Sequence, residues 1–161
     1  VANPKEDFFR TVNSTVEILE WIRQESPTTK MVAVSSAAVY GSGHSGPITE
    51  DAVSSPFSPY GHHKRIMEEL CRSYAASYGL RVSIARLFSV FGTELKKQLL
   101  WDMCVRLAAG TQPLVLGGSG HELRDWTDVR DVVRALALLE TTASANVPNG
   151  PSVSCSGAIS R

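Results

Sequence analysis

The sequence predicts an α/β fold in which a parallel sheet is covered by helices. Two short apolar runs, Met31 to Ser35 and Arg81 to Phe88, are typical of strands buried on both faces. They alternate with longer segments of helical periodicity, and this alternation favours parallel strand pairing. The chain has 161 residues, 43% of them hydrophobic, which suffices for a globular core.

The first predicted helix runs from about Phe8 to Gln24, with Asp7 as its N-cap. Its apolar residues form two stripes, and a helix that is apolar on two sides is usually sandwiched between neighbours. One stripe contains Phe8, Val12, Val16, Leu19 and Ile22, and the other contains Phe9, Ile18 and Trp21.

A long loop is predicted from Gly41 to Pro59, where three glycines and three prolines interrupt any apolar period. Such loops inside compact domains are often functional. The next helix begins with Ser58 as N-cap and Pro59 at its first position, runs to Tyr78 and is closed by Gly79.

The rest of the chain is predicted to hold one short strand and two helices. A helix is predicted at 99–109 and ends at Gly110. A short strand is predicted at 114–116 and a last amphipathic helix at 129–140.

Composition narrows the classes of partner. Sixteen basic residues balance sixteen acidic ones, which argues against nucleic acid or an anionic membrane as the main partner. No apolar run approaches the roughly 20 residues of a membrane span, and the first residues lack a signal-peptide core, so we expect a cytoplasmic protein. Cys71, Cys104 and Cys155 lack the spacing of a zinc site, and we expect buried thiols and no metal.

Tyr60 and Lys64 form the pair with the clearest chemical use. Four residues apart at the start of a helix, they project from one face. A free tyrosine is a poor base because its pKa is about 10, and a neighbouring ammonium favours the phenolate. Ser36 follows the first buried strand, at the edge where parallel sheets bind ligands, and its hydroxyl can reach the same substrate oxygen. The same spacing also occurs in ordinary surface pairs.

Several sequence blocks, in this order and spacing, resemble the extended short-chain dehydrogenase/reductase family. The blocks are SSAAVYG (35–41), TE (49–50), SPYGHHK (58–64), ARLFSVFG (85–92), LGGSG (116–120) and RDWTDVRDVV (124–133). Together they cover most of the chain.

The resemblance implies a Rossmann-type domain that binds NAD or NADP and acts on a nucleotide sugar. It implies that Tyr60 is the acid/base, that Ser36 polarises the reacting oxygen and that Lys64 also holds the nicotinamide ribose. It further assigns Ser35 and Leu87 to the cofactor, and Phe88, Ser89 and Arg124 to the substrate. An arginine can bind a diphosphate in bidentate fashion. Alternatively, Arg124 pairs with Asp125 or Asp128 at the surface.

Departures from the family pattern refine the expected reaction. Dehydratases and decarboxylases of the family carry acidic residues where this chain has Ala37 and Ala38, which favours an epimerase or a 4-ketoreductase. Ser89 stands where asparagine is common in the family, and Thr11 and Ser14 stand where asparagine and glycine are common. The sugar and the nucleotide of the substrate therefore stay open.

The glycine-rich phosphate loop of the family has no counterpart in this chain. The segment 41–46 matches GxGxxG but is followed by Pro47 and polar residues rather than a helix. We therefore expect a piece of a longer enzyme in which the N-terminal strands of the fold are absent. Residues 1–92 would be the C-terminal half of the NAD(P)-binding domain, and 93–161 a partial substrate-binding region with one returning helix. The choice between NAD and NADP stays open.

Three further hypotheses concern function and assembly. The alternative to an enzyme is a noncatalytic remnant that keeps the fold and the dimer surface only. The second hypothesis is a serine hydrolase that uses Ser36 or Ser45, but the sequence contains no GxSxG elbow to support it. The resemblance implies a homodimer through helices 8–24 and 60–78, in which the second apolar stripe of the first helix faces the partner. Alternatively, that stripe covers further strands of the sheet.

Overall fold

A three-stranded parallel sheet forms the centre of the computed structural model, which describes residues 3–44, 46–96, 99–118, 124–142 and 152–155. Its strands lie in the order β1, β2, β5, where β1 is Lys30–Ser36, β2 is Arg81–Leu87 and β5 is Ser152–Cys155. A second parallel pair joins β3 (Ser89–Phe91) to β4 (Trp126–Asp128). The predicted α/β fold with a parallel sheet is confirmed.

Helices connect these strands. They are α1 (Pro4–Phe8), a π-helical segment (Phe9–Asn13), α2 (Ser14–Glu25), a 3₁₀ turn (Ala37–Val39), α3 (Pro59–Tyr78), α4 (Leu99–Ala108) and α5 (Val129–Thr142). Because α3 joins two neighbouring parallel strands, β1, α3 and β2 form a βαβ unit.

The predicted start of the first helix is wrong. The helix begins at Pro4, and the N-cap is Asn3, whose side-chain oxygen accepts a hydrogen bond from the main-chain nitrogen of Glu6 at 3.1 Å. Asparagine caps as well as aspartate, and proline has the backbone angle that a first helical residue needs. Asp7 lies inside the helix, where its carboxylate is free to reach α3.

The limits of α3 agree with the prediction. Ser58 Oγ accepts a hydrogen bond from the main-chain nitrogen of Gly61 at 3.1 Å, and Pro59 is the first helical residue. At the other end Gly79 adopts left-handed backbone, and its N–H donates to the carbonyl of Ala75. This local chemistry places Tyr60 in the first turn of a 20-residue helix.

The predicted short strand at 114–116 is wrong. These residues pair with no described strand, and the side chains of Val115 and Leu116 are exposed. The carbonyl of Val115 instead accepts a hydrogen bond from the guanidinium of Arg106 at 3.1 Å. Three apolar residues form a strand only where a partner edge is available. Conversely, β3, β4 and β5 have three or four residues each and were not predicted, because such lengths show no period.

The core lies between the sheet and the pair α2 and α3. It contains Leu19, Ile22, Ala33, Met67, Cys71, Leu80 and Ile84. Helix α5 contacts β1 and β2, and its Val132 and Leu139 are buried. The sheet therefore carries helices on both faces.

The cysteine prediction is only partly right. Cys71 is buried, but Cys104 is exposed on α4, which has no buried residue. The apolar periodicity of α4 therefore does not translate into burial in this chain. The side chain of Cys155 lies outside the described part.

The buried hydroxyl of Ser83 on β2 leads to a stability prediction. Ser83 Oγ is buried without a hydrogen-bond partner among the described residues. Since a buried polar atom without a partner costs about 1 to 3 kcal/mol, we expect Ser83→Ala to raise the free energy of unfolding by about 1 kcal/mol. Urea denaturation measures this change. Ser55→Ala removes an exposed serine hydroxyl and should have almost no effect; an equal gain in both variants would contradict the explanation.

Candidate active site

The site begins at the carboxyl edge of the sheet. Ser36 is the last residue of β1 and pairs in register with Leu87, the last residue of β2. Its Oγ accepts a hydrogen bond from the main-chain nitrogen of Ala38 at 3.2 Å, which opens the 3₁₀ turn. Ser36 is half-buried. Open parallel sheets bind ligands at this edge.

The first turn of α3 packs directly against this turn. A Cβ atom on Gly61 would lie 2.6 Å from the carbonyl oxygen of Ala38 and 2.9 Å from Cβ of Pro56. Glycine is therefore required for the close approach of the two segments. Because Tyr60 precedes Gly61 and Ser36 caps the turn that contains Ala38, the turn of α3 that carries Tyr60 packs against the turn that Ser36 caps.

Lys64 ties this helix to the strand. Its Nζ donates a hydrogen bond to the carbonyl of Val34 at 3.0 Å and lies 5.9 Å from the centroid of the Tyr60 ring. Burial lowers the pKa of Lys64 below its ordinary value, and the carboxylate of Asp7 partly offsets this effect. An ammonium has three donors, so the hydrogen bond to Val34 leaves donors for a ligand.

A contact between the first helix and α3 supports this arrangement. The carboxylate of Asp7 contacts Nδ1 of His63 at 2.5 Å, and both side chains are largely buried. The ring of Phe8 packs edge-on against the His63 ring at 5.5 Å between centroids. Asp7 is thus held beside the helix turn that carries Lys64.

Removal of the Asp7 charge should lower the pKa of Lys64. In Asp7→Asn the amide can keep a contact with His63 while the negative charge that favours the ammonium is lost. NMR titration of ¹³C-methylated lysines measures the pKa. The matched control is Glu6→Gln, since Glu6 immediately precedes Asp7, is exposed and pairs with Arg10. An unchanged Lys64 pKa in Asp7→Asn would show that the two charges are not coupled.

The predicted substrate residues Phe88, Ser89 and Arg124 follow the same edge. Phe88 packs its ring on that of Tyr40 at 6.2 Å between centroids. Ser89 donates its main-chain N–H to the carbonyl of Asp125 at 3.1 Å, so β3 begins beside the exposed Arg124. Asp128, a surface partner considered for Arg124, is bound by Arg130 through two hydrogen bonds of 2.9 and 2.7 Å.

A buried ionic network lies behind the site, and it was not predicted. Glu68 on α3 accepts two hydrogen bonds from Arg86 on β2, at 2.9 and 2.7 Å, one from Ser35 at 2.6 Å and one from Arg72 at 2.8 Å. Glu68 and Arg86 are almost fully buried. Burial alone would raise the pKa of Glu68, but the hydrogen bonds from Arg86 and Ser35 outweigh it and lower the pKa. The network joins α3, β1 and β2.

The sequence held a signal for this network. Glu68 stands four residues after Lys64 and three before Cys71, so it falls on the face of α3 that carries buried residues. A charge on a buried helix face requires a buried partner. The position of Ser35 also matters, because its hydroxyl is bound to Glu68 inside the protein. A contact of Ser35 with a cofactor would therefore involve its main chain.

The GxGxxG match at 41–46 does not form a phosphate cradle in the described residues. A Cβ atom on Gly41 would clash with the carbonyl oxygen of Ser55, so this glycine packs against the protein's own backbone. Nothing lies within 4 Å of the corresponding positions on Gly43 and Gly46, and no helix follows. This loop therefore does not fit the pyrophosphate of a dinucleotide.

The described residues lack both a membrane-spanning helix and a cluster of metal ligands. None of their helices is long and apolar enough to cross a membrane. They also contain no group of three or more histidine, cysteine, aspartate or glutamate residues able to hold a metal ion.

Fold and site together define a Rossmann-type protein of the extended short-chain dehydrogenase/reductase class, with a serine at the sheet edge and a tyrosine–lysine pair on the next helix. The chain belongs to the NAD dependent epimerase/dehydratase family, which matches residues 1–151.

Individual relatives agree with this assignment. The chain is 31% identical over 128 residues to the uncharacterized UDP-glucose epimerase YtcB of Bacillus subtilis, covering 80% of this chain and 40% of that protein. It is 35% identical over 121 residues to a UDP-glucose 4-epimerase of Azospirillum brasilense, covering 69% and 35%. The chain thus spans less than half the length of these relatives.

Solved structures show the same partial coverage. A UDP-glucuronic acid 4-epimerase from Bacillus cereus, in complex with UDP-glucuronic acid and NAD, matches with a TM-score of 0.79 and 26% identity, covering 91% of this chain and 46% of that one. A dTDP-glucose 4,6-dehydratase from Streptomyces venezuelae, with NAD bound, matches with a TM-score of 0.82 and 28% identity, covering 96% and 47%. The Rossmann-like fold is confirmed.

Proposed function

We propose that the protein carrying this chain is an NAD(P)-dependent nucleotide-sugar epimerase or 4-ketoreductase. The observation that carries the proposal is the placement of Tyr60 and Lys64 beside the sheet edge that ends at Ser36. Tyr60 would exchange a proton with a sugar hydroxyl or carbonyl, and the Ser36 hydroxyl would bind the same oxygen. Lys64 would favour the phenolate and contact the nicotinamide ribose.

NAD or NADP is the cofactor that this site fits. Solved relatives from two organisms hold NAD, and the chain belongs to their family. When bound, the nicotinamide supplies hydride transfer to or from a sugar carbon. We propose that Lys64, Tyr60, Leu87 and the main chain of Ser35 contact it, because they share the carboxyl edge of β1 and β2.

A nucleotide sugar is the proposed substrate. Similar proteins are named for UDP-glucose, and one solved relative holds UDP-glucuronic acid. Ser36, Phe88, Ser89 and Arg124 would bind it, the arginine at the diphosphate. Ala37 and Ala38 offer only methyl groups in the turn after Ser36, so this turn has no second acid for the elimination of water. This favours epimerisation or ketone reduction.

Product analysis tests the reaction. The protein carrying this chain is incubated with UDP-glucose, UDP-galactose, UDP-glucuronic acid and dTDP-glucose in the presence of NAD, and anion-exchange chromatography with NMR identifies the sugars. Reduction is tested with NADH or NADPH and a nucleotide-linked 4-keto sugar. An inverted centre at C4 or a reduced ketone supports the proposal. A 4-keto-6-deoxy product from dTDP-glucose would overturn the argument from the two alanines.

The noncatalytic remnant is the alternative, and it is motivated by the glycine-rich segment 41–46, which forms no phosphate cradle in the described residues. Calorimetric titration of the chain with NAD⁺, NADH, NADP⁺ and NADPH separates the two. Submicromolar binding by the chain would contradict the remnant, whereas failure of the protein carrying the chain to convert any nucleotide sugar would support it.

We also propose that residues 1–92 belong to the cofactor-binding domain and that residues 93–161 belong to the substrate-binding region. We further propose that the protein is cytoplasmic.

A homodimer through α2 and α3 is proposed from their outer faces. Ile18 and Trp21 of the second apolar stripe are 47% and 58% exposed, and Ile66 on α3 is 41% exposed. A groove of about 500 Å³ lies on the same side of α3, lined by His62, Arg65, Ile66, Glu69, Leu70 and Ser73. Exposed apolar residues on two helices that contact each other suit a symmetric partner.

Trp21→Asp should convert this dimer to a monomer, because it places a charge in the second apolar stripe, which the proposed interface buries. Sedimentation velocity measures the oligomeric state. Val53→Asp introduces the same charge at an exposed apolar residue of the loop, 78% exposed, and should leave the dimer intact. A wild-type protein that sediments only as a monomer at high concentration would contradict the interface.

A further inference from the structure

Tyr40 is completely buried although it lies in the loop after Ser36. Its hydroxyl accepts a hydrogen bond from Nη1 of Arg86 at 2.9 Å, and the Arg86 guanidinium lies 4.7 Å from the centroid of its ring. The same Nη1 donates to the carbonyl of Glu50 at 2.8 Å. A single buried guanidinium therefore holds both the beginning and the end of the segment 40–50.

Arg86 is itself fixed relative to the rest of the site. Its other nitrogens bind both carboxylate oxygens of Glu68, which lies one helical turn after Lys64. In the sheet Arg86 pairs in register with Ser35, the residue before Ser36. The position of Tyr40 is thus linked to the helix that carries Tyr60 and to the strand that ends at Ser36.

Two further contacts hold the segment around Tyr40. Ser54 Oγ donates to the carbonyl of Val39 at 2.8 Å, and a ring nitrogen of His44 lies 2.9 Å from the carbonyl oxygen of Tyr40. The Tyr40 ring also packs on Phe88, a proposed substrate residue. The hydrogen bond from Arg86 to Tyr40 connects this segment to the buried network of Glu68 and Arg86.

We propose that Tyr40, through its hydrogen bond to Arg86, is a positioning residue that fixes the turn after Ser36 against α3, so that the Ser36 hydroxyl and Tyr60 address the same substrate oxygen. This inference rests on the proposed function. The physical reason is geometric: catalysis by two groups on one atom requires both within hydrogen-bond reach, and small misplacements reduce the rate strongly. Tyr40 itself touches no reacting atom in this scheme.

Tyr40→Phe tests the inference, because it removes the hydroxyl and keeps the ring on Arg86 and Phe88. In the protein carrying this chain we expect kcat to fall about tenfold while the KM for the nucleotide sugar stays within about threefold. Hydrogen exchange of the amides at 37–44 and 46–50 should accelerate about tenfold, with exchange in α3 unchanged. The matched control is Tyr74→Phe, which removes a hydroxyl on α3 that donates a hydrogen bond to Glu20 on α2 at 2.7 Å, away from the sheet edge; its kcat should be that of the wild type.

Each outcome decides the inference. Unchanged kcat and unchanged loop exchange in Tyr40→Phe would overturn it, as would a uniform acceleration of exchange throughout the protein, which indicates loss of stability rather than of position. An equal fall of kcat in Tyr74→Phe would also overturn it. If the wild-type protein converts no nucleotide sugar, the proposed function fails, and the exchange rates alone decide whether the hydroxyl fixes the turn.

Discussion

Glu68→Gln is expected to destabilise the protein by about 3 to 5 kcal/mol, because it leaves the buried guanidinium of Arg86 without its counter-charge. The side chain keeps nearly the same shape, so the loss arises from charge and hydrogen bonding rather than from packing. Two hydrogen bonds from Arg86, one from Ser35 and one from Arg72 end on this carboxylate. Urea denaturation followed by circular dichroism measures the free energy of unfolding.

The neighbouring residue provides the control. Glu69 lies 3.5 Å from Arg72 and its side chain is 64% exposed, so Glu69→Gln should change the free energy of unfolding by less than about 0.5 kcal/mol. Equal effects of the two substitutions would show that the buried pair adds nothing beyond a surface charge.

The same carboxylate predicts a dependence of stability on pH. Because the network lowers the pKa of Glu68 below its ordinary 4.5, the folded form binds its proton less readily than the unfolded form. Its contribution to stability is complete above that ordinary value and is lost as the pH falls through the lowered pKa. Glu68→Gln should therefore show a weaker fall in stability on acidification than the wild type; parallel curves would contradict the assignment.

Tyr60→Phe is expected to reduce kcat of the protein carrying this chain by about 10² to 10⁴, because the proposed function makes Tyr60 a positioned acid/base, whose usual contribution has this size. The ring stays in the first turn of α3, where Lys64 lies 5.9 Å from its centroid, so the variant should fold normally. Cofactor affinity should change by less than about threefold, because Lys64 keeps its contact with Val34. Steady-state kinetics with the substrate found in the product assay and NAD(H) titration measure the two effects.

Tyr78→Phe is the matched control, since it makes the same chemical change at the exposed C-terminal end of α3. Its kcat should equal that of the wild type. Near-normal turnover in Tyr60→Phe would remove Tyr60 from the acid/base role, and an equal loss in both variants would point to a fault in the helix instead.

The elements that the sequence predicted correctly are those whose signals are local. Ser58, Pro59 and Gly79 fix the limits of α3 through caps and backbone angles that act within a few residues. Because Tyr60 and Lys64 are four apart on that helix, their common face also follows from helical geometry alone. The first helix shows the limit of such reasoning, since Asn3 and Asp7 were both acceptable caps and the position of Pro4 decided between them.

Tertiary structure alone decided the rest of the site. The ion pair of Glu68 with Arg86 joins residues 18 apart, the contact of Asp7 with His63 joins residues 56 apart, and Tyr40 reaches Arg86 over 46. The strands β3 and β4 form because each pairs with the other, whereas the apolar run at 114–116 pairs with no described strand. Helix periods and caps depend on neighbours along the chain, so the sequence determined α3 and its tyrosine–lysine pair. Buried charges depend on partners brought together by folding, so only the structure placed the network behind Ser36.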